Sequence, residues 1–165
     1  MAVGFLPPTG AITPALAAAS LPPTYWMVGA DGSLYSLGSA GSFGSLQGQP
    51  LNKPVVGMAG TPDGRGYWMV ASDGGVFAFG DAGFYGSMGG KHLNAPVVGI
   101  ASTPSGDGYW EVAADGGVFA FGDAAFYGSM GSRPTQPVIG LVATGTAGYE
   151  LVLADGTEVR FGPPV

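Results

Sequence analysis

The sequence of 165 residues has no cysteine, one histidine and only five lysine and arginine residues. The absence of cysteine excludes disulfides and thiolate chemistry, and a zinc site would need more histidine or cysteine than the chain has. Eleven acidic residues bring the net charge to −6. Because proteins that bind a nucleic-acid backbone need clustered lysine and arginine, this composition predicts no nucleic-acid partner.

Long apolar runs are also missing. No stretch of the sequence approaches the roughly 20 apolar residues of a membrane-spanning helix, so we expect no membrane insertion. The alanine-rich segment 15–20 resembles the end of a signal peptide, but residues 1–23 contain neither lysine nor arginine. Prolines at positions 7, 8 and 14 would also interrupt the apolar centre of such a peptide. We therefore interpret residues 1–23 as part of the fold and expect no signal peptide in this chain.

The main feature that the sequence does have is a repeat of about 42 residues. An Asp-Gly pair begins at Asp31, Asp73, Asp115 and Asp155, with spacings of 42, 42 and 40 residues. A tyrosine-led apolar run precedes each pair, and an apolar residue followed by glycine comes six residues after each aspartate. Repetition at a fixed period of this length predicts stacked copies of one supersecondary unit.

Each repeat predicts four short strands, which we name A to D. In the second repeat they are Pro54–Gly57, Tyr67–Val70, Val76–Phe79 and Phe84–Ser87. An Asp-Gly pair between the apolar runs of strands B and C is a strong hairpin signal, because both residues tolerate positive φ. No segment shows a sustained apolar period of 3.6 residues, so we expect essentially no helix.

This strand pattern predicts an all-β fold, a four-bladed β-propeller. Strands B and C are apolar on both faces, which indicates that each small sheet is sandwiched between neighbours. We expect one domain over residues 1–165, with blades at about 12–50, 54–90, 96–132 and 137–162. A strand at residues 2–9 would complete the fourth blade, so that the N- and C-terminal segments pair and close the ring. Two chains forming one eight-bladed ring are the alternative.

The fourth repeat departs from the pattern of the second and third. Glu150 replaces the tryptophan found at positions 68 and 110, while Glu158 and Arg160 interrupt the apolar strand C. Two interpretations follow from these substitutions. Either Glu158 and Arg160 pair across a partly wet edge, or the fourth repeat does not pack on the first as the closed ring requires.

Residues 66–82, together with residues 84–87, resemble a repeat that is common in secreted multidomain proteins of actinobacteria. The sequence there is Gly-Tyr-Trp-Met-Val-Ala-Ser-Asp-Gly-Gly-Val-Phe-Ala-Phe-Gly-Asp-Ala, followed after one residue by Phe-Tyr-Gly-Ser. The resemblance covers residues 25–165 well and residues 2–22 weakly. It implies an extracellular or cell-surface accessory module, of a kind that accompanies peptidase, amidase or glycosidase domains and has no agreed catalytic residues.

The loops of one propeller rim are the candidate binding region. In a propeller the B–C and D–A connections emerge together, so the Asp-Gly turns would lie beside the basic residues of the D–A loops. Variable loops on a rigid scaffold are where binding sites are built. In the alternative interpretation, each aspartate only accepts backbone N–H bonds within its own hairpin. The candidate ligand-binding residues are Lys53, Lys91, His92, Arg133, Asp31, Asp73, Asp115 and Asp155.

The sequence favours a non-catalytic binding or scaffolding module over an enzyme. One aspartate per repeat puts the carboxylates too far apart for the roughly six to eight oxygens of a calcium site, so we expect no metal and no cofactor. A lectin-like propeller is the alternative, because near-identical pockets would give avidity. A hydrolase that uses His92 or Glu111 is less favoured, and a chain engineered to study repeat assembly is a further alternative. The expected partner is a glycan, a cell-wall component or another protein, and the chain is expected to be a monomer or a homodimer.

Overall fold

The computed structural model describes residues 24–131, 134–145 and 148–163, and these contain eleven β-strands and no helix. The predicted strand at 2–9 and the first strand A, which repeat alignment puts at residues 14–22, lie outside the described residues. In chain order the strands are β1 (Tyr25–Val28), β2 (Leu34–Leu37), β3 (Val55–Gly60), β4 (Gly66–Ala71), β5 (Val76–Gly80), β6 (Val97–Ser102), β7 (Gly108–Ala113), β8 (Val118–Gly122), β9 (Val138–Thr144), β10 (Gly148–Leu153) and β11 (Glu158–Phe161).

The strands form four small antiparallel sheets, one for each repeat. β1 pairs with β2, and the three-stranded sheets have the orders β3-β4-β5, β6-β7-β8 and β9-β10-β11. Strand B is central in each three-stranded sheet and is joined to strand C by the Asp-Gly hairpin. Gly74, in the second of these hairpins, has a φ of 77°, which glycine adopts without steric cost. The all-β class and strands A, B and C of repeats two to four are therefore confirmed.

The prediction of a fourth strand, D, is wrong for the first three repeats. Residues 43–46, 84–87 and 126–129 belong to no sheet. In the second repeat, Gly86 has a φ of 131°, which takes the backbone out of the extended conformation. The Tyr109 hydroxyl accepts the Tyr85 N–H at 3.1 Å and donates to the Gly86 carbonyl at 2.5 Å. A side chain of the next repeat therefore satisfies these backbone groups, where a neighbouring strand was expected to do so.

We call these stretches, residues 41–46, 83–88 and 125–130, the crossing segments, because each is held by two successive repeats. In the second repeat, Trp68 Nε1 donates to the Gly83 carbonyl at 2.6 Å, and Tyr109 of the third repeat bonds the backbone three residues later. Each crossing segment thus ties its own sheet to the following one. The equivalent pairs are Trp26 to Gly41 with Tyr67 to Gly44, and Trp110 to Ala125 with Tyr149 to Gly128.

The core lies between successive sheets, as the two apolar faces of strand B predict. Trp68 and Val70 pack into one cluster with Tyr109 of the third repeat. Tyr67 and Met69 point the other way, against the crossing segment and sheet of the first repeat. All five of these side chains have a relative exposure of 0%. Burial of each such side chain contributes roughly 1.5–3 kcal/mol, so the stability of the stack resides mainly in these junctions.

Glycine in strand A allows neighbouring sheets to approach closely. A Cβ atom built on Gly57 would lie 3.6 Å from the Cα atom of Gly99, and one built on Gly99 would lie 3.4 Å from the Cα atom of Gly140. The first strands of repeats two, three and four therefore touch one another along their backbones. This agrees with the expectation that small residues occupy the crowded line where the innermost strands converge.

The outward face of the first sheet is open in the described structure. Tyr25 and Met27 are 42% and 54% exposed, whereas Tyr67 and Met69, at the same places in the second repeat, are 0% exposed. Tyr35 and Leu37 lie directly opposite them on β2 and are 58% and 38% exposed. The described residues of the fourth repeat leave this face exposed, and the predicted strand at 2–9 lies outside the described ranges, so the closed propeller remains a prediction.

The outward face of the fourth sheet is mixed in polarity. Val142, 55% exposed, pairs in register with Glu150, which in turn pairs with Arg160. The Arg160 Nε atom lies 3.9 Å from the Glu150 Oε1 atom. A partly wet ion pair therefore forms, but Arg160 makes it across the sheet with Glu150 and not with Glu158, since Glu158 lies opposite Val152.

Candidate functional site

Those sequence-predicted site residues that the structure describes lie on the side of the sheets that carries the Asp-Gly turns, which we call the hairpin rim. Each aspartate carboxylate there accepts the amide N–H of the residue two positions later, at 2.9–3.0 Å. Each aspartate therefore caps its own hairpin, whereas a ligand-binding role for these residues stays a prediction. The Ser33 hydroxyl and amide hold the pKa of Asp31 below its usual value, and the Thr157 amide does the same for Asp155. Asp31 and Asp155 are thus ionised at neutral pH.

Three clefts open at the same place in successive repeats, each between an Asp-Gly hairpin and the loop that leads to the next strand A. We call them rim clefts 1, 2 and 3, with volumes of about 600, 310 and 430 Å³. Their polar lining residues are Asp31, Gln49, Asn52 and Lys53 in cleft 1, Ser72, Asp73, Lys91, His92 and Asn94 in cleft 2, and Asp115, Thr135 and Gln136 in cleft 3.

The structure brings together some of the predicted site residues. Asp31 and Lys53 line one cleft, and Asp73, Lys91 and His92 line another. Asp115 lines the third cleft, whereas Arg133 lies outside the described residues. Asp155 is exposed on the hairpin of the fourth repeat and lines none of these three clefts. The aspartates therefore act one per cleft and do not converge on a common centre.

The three loops that line the rim clefts share their first and last residue types but differ in some of the residues between them. Each begins with a glycine of positive φ at position 48, 90 or 131, and each ends with a proline at position 54, 96 or 137. Leu51 and Leu93 occupy the same position in the first two loops and are half-buried, so they anchor the loops. The residues beside them differ, because Lys53 stands where the second loop has Ala95. The clefts thus recur at the same place in each repeat but differ in volume and in part of their lining.

Glu111 is a buried carboxyl group that sequence reasoning placed only among the weak candidates for hydrolysis. It occupies the position of Met69 and Leu151 on strand B and has a relative exposure of 0%. Within the described part of the chain, neither of its carboxyl oxygens has a hydrogen-bond partner. A Cβ atom built on Gly74 would lie 3.0 Å from its Oε2 atom, so the carboxyl group lies under the hairpin of cleft 2.

Desolvation dominates the electrostatics of Glu111. Burial raises its pKa to about 8, opposed in part by the Met88 amide and the charge of Lys91 and reinforced by Asp73. The Met88 N–H also donates to the Gly74 carbonyl at 2.9 Å. The sequence signal for this buried carboxyl group was a lone glutamate in an apolar strand. The carboxyl group is thus protonated at neutral pH and has no aqueous access for acid–base chemistry.

The opposite side of the sheets, which we call the turn rim, carries a second set of carboxylates with conformational roles. Asp81 accepts the Thr61 hydroxyl at 3.1 Å, and Asp123 accepts the Thr103 and Ser105 hydroxyls at 2.8 and 2.5 Å. These bonds join the turn between strands A and B to the turn that follows strand C. The two turns of one repeat are thereby fixed to each other.

Three further findings bear on function. Among the described residues, no three histidine, cysteine, aspartate or glutamate side chains are grouped closely enough to hold a metal ion. The same part of the chain offers no helix that could span a membrane. No protein-family model matches the sequence, and a search of curated proteins finds no significant match.

Proposed function

We propose that this chain is a non-catalytic binding module of β-propeller architecture, acting outside the cell or at its surface, with the rim clefts as its ligand sites. The observation that carries the proposal is the recurrence of one cleft at the same place in three successive repeats. A rigid frame repeats in each, while the loop residues that line it vary. This combination is typical of recognition surfaces built on a stable scaffold.

The use of the polar side chains supports binding over catalysis. The hairpin aspartates cap their own turns, and the tyrosine hydroxyls and tryptophan N–H groups hold the crossing segments. His92 is an exposed loop residue in cleft 2, and Glu111 is enclosed beneath that cleft. A general base needs access to the proton that it removes, which this buried carboxyl group does not have.

A lectin is the second candidate function. Three equivalent clefts on one rim would let a repeating ligand engage several sites at once, so that avidity compensates for weak individual contacts. Clefts 1 and 2 each place a carboxylate, an asparagine amide and a lysine around one opening, and such groups accept and donate hydrogen bonds to sugar hydroxyls.

The test is binding to purified peptidoglycan by co-sedimentation and to an immobilised glycan array. A variant carrying Lys53→Ala, Lys91→Ala and His92→Ala should lose binding while its unfolding temperature is unchanged, because all three residues are exposed. Arg65→Ala, an exposed charge on the turn rim, is the matched control and should bind normally. Equal binding by the triple variant and the wild type would remove the rim clefts from the proposal.

Catalysis is tested separately with chromogenic esterase and glycosidase substrates. The wild type should show no turnover above buffer. Turnover that disappears in His92→Ala or Glu111→Gln would replace the binding proposal with a hydrolase.

A further inference from the structure

A fourth cleft opens on the turn rim of the third repeat, away from the three rim clefts. It has a volume of about 290 Å³, near the lower limit for ligand pockets, which is room for one small ring. The A–B turn contributes Thr103 and Ser105, the strand beneath it contributes Trp110, and the following segment contributes Asp123 and Tyr127. We call it the turn cleft.

The equivalent position in the second repeat is filled by the next repeat. There the Tyr85 hydroxyl bonds the Gly106 carbonyl at 3.3 Å and the Asp107 carboxylate at 3.4 Å. A Cβ atom built on Gly106 would lie only 2.8 Å from Pro62, so the turn of the third repeat packs directly on that of the second. In the sequence, the corresponding turn of the fourth repeat has five residues, 144–148, where the third has six, 103–108.

Tyr127, the counterpart of Tyr85, is 37% exposed. Among residues 24–131, 134–145 and 148–163 its hydroxyl has no hydrogen-bond partner. Its backbone N–H is held by the Tyr149 hydroxyl at 3.1 Å. The aromatic ring is thus fixed in position beside the cleft.

The polar wall of the turn cleft is arranged in advance. The Thr103 hydroxyl donates to Asp123 Oδ1 at 2.8 Å and the Ser105 hydroxyl to Oδ2 at 2.5 Å. An ionised carboxylate offers about four acceptor positions, so two remain for a ligand. The same two donors stabilise the negative charge of Asp123 without a cation.

From this arrangement we infer that the turn cleft binds the ring of a neutral pyranose sugar. A pyranose presents an apolar face, which would lie on Tyr127, and a rim of hydroxyl groups, which would donate to Asp123 and exchange hydrogen bonds with Ser105 and the Tyr127 hydroxyl. An ammonium ligand would use the ring and the carboxylate but leave the hydroxyl wall without a role. The inference goes beyond the rim clefts and does not depend on them.

The experiment is a titration of ¹⁵N-labelled protein with the methyl glycosides of glucose, galactose, mannose and N-acetylglucosamine, observed by NMR. The three tryptophan N–H groups make the same bond in three repeats, but only Trp110 lines this cleft. At least one glycoside should shift the Trp110 indole signal at millimolar concentration and leave those of Trp26 and Trp68 unchanged. Choline, as the cationic probe, should shift none of them.

Two variants complete the test. Tyr127→Ala should weaken binding about tenfold or more, as expected for loss of an aromatic stacking partner, while the dispersed indole signals show that the fold is kept. Phe84→Ala removes an aromatic side chain that is 62% exposed and does not line this cleft, and this control variant should bind the sugar normally. An unmoved Trp110 signal with all four glycosides, or a response to choline alone, would overturn the inference. Loss of peptidoglycan binding in the variant with Lys53→Ala, Lys91→Ala and His92→Ala would still support the rim clefts as a binding site. The two proposals can therefore fail independently of each other.

Discussion

At the scale of the residue, the tyrosine that opens strand B carries out two functions in each junction. Its ring is fully buried between sheets, and its hydroxyl both accepts an amide N–H and donates to a carbonyl of the crossing segment. Tyr109 does this with Tyr85 and Gly86, and Tyr149 does it with Tyr127 and Gly128. The hydroxyl is therefore a shared partner of two backbone groups at the junction.

Tyr109→Phe should destabilise the protein by about 1–3 kcal/mol, because it leaves a partly buried N–H and a partly buried carbonyl without this partner. The free energy of unfolding, measured by denaturant titration, reports the loss. Tyr127→Phe removes a hydroxyl that is exposed and should change stability by less than about 0.5 kcal/mol. Equal stability of the two variants would show that the hydroxyl bonds of the junction contribute nothing.

Glu111 makes stability depend on pH. Its pKa rises from 4.5 to about 8 on folding, so between these values the folded state holds a proton that the unfolded state has released. The contribution of Glu111 to stability is therefore fully present below about pH 4.5 and falls by about 1.4 kcal/mol per pH unit as the pH rises through this window. The groups that face the carboxyl group are Asp73, Lys91, Tyr109 and the Met88 amide. Of these, only Lys91 and the amide favour its ionisation.

Glu111→Met restores the side chain that the second repeat has at this position and should abolish most of this dependence. The variant should be more stable than the wild type by roughly 2 kcal/mol or more at about pH 8, with a much smaller difference at about pH 5. Thermal or denaturant unfolding at the two pH values measures both effects. Glu111→Gln, which stays neutral, should likewise show a flat pH profile. A wild type whose stability is constant from pH 5 to pH 8 would contradict the buried, protonated state.

At the scale of the element, the crossing segments show why residues with a strand-like sequence form no strand. The central glycine of each segment lies against an aromatic ring of the next repeat. A Cβ atom built on Gly86 would lie 2.6 Å from the Phe121 ring, and one on Gly44 would lie 2.7 Å from the Phe79 ring. The backbone approaches the neighbouring sheet too closely for any side chain at that position.

Gly86→Ala should therefore destabilise the protein by about 3 kcal/mol or more, through both positive φ and steric overlap. Gly90→Ala is the matched control, because Gly90 also has a positive φ of 77° but a Cβ atom there meets nothing within 4 Å. It should cost only about 1 kcal/mol. Unfolding free energies of the two variants measure the difference, and similar values would show that the contact with Phe121 can relax.

Strands A to C could be predicted because the residues of each strand and its turns reflect their local backbone conformation and burial. The hairpin aspartates, the two apolar faces of strand B and the glycine of strand A all respond to local sterics and burial. The crossing segment could not, since residues 84–87 are aromatic and apolar like a strand, and only the Tyr109 hydroxyl of the next repeat decides otherwise. The Asp-Gly pairs were correctly predicted to form turns on one side of the sheets. Their division into separate clefts could not be predicted, because it depends on the depth of the neighbouring loops, which the sequence pattern does not show. The turn cleft was missed, because it arises from packing between repeats.

At the scale of the whole molecule, one feature separates the first repeat from the other three. Every strand B has a face that the preceding repeat should cover, and in the first repeat that face bears Tyr25, Met27, Tyr35 and Leu37, all exposed. Three identical faces elsewhere are buried by a sheet and a crossing segment. The closed ring would supply both from the fourth repeat and residues 2–9, and an eight-bladed ring would supply them from a second chain.

Met27→Lys distinguishes these arrangements, because a lysine is tolerated on a wet surface but not between two apolar sheets. In a closed ring the variant should lose about 2 kcal/mol or more of unfolding free energy while light scattering gives the mass of a single chain in both proteins. In a ring shared by two chains, the wild type should have twice that mass and the variant should dissociate. Phe84→Lys, at a side chain that is 62% exposed, is the control and should change neither quantity. If Met27→Lys also changes neither, the face is open to water and both propeller arrangements are wrong, because each requires Met27 to be as deeply buried as Met69.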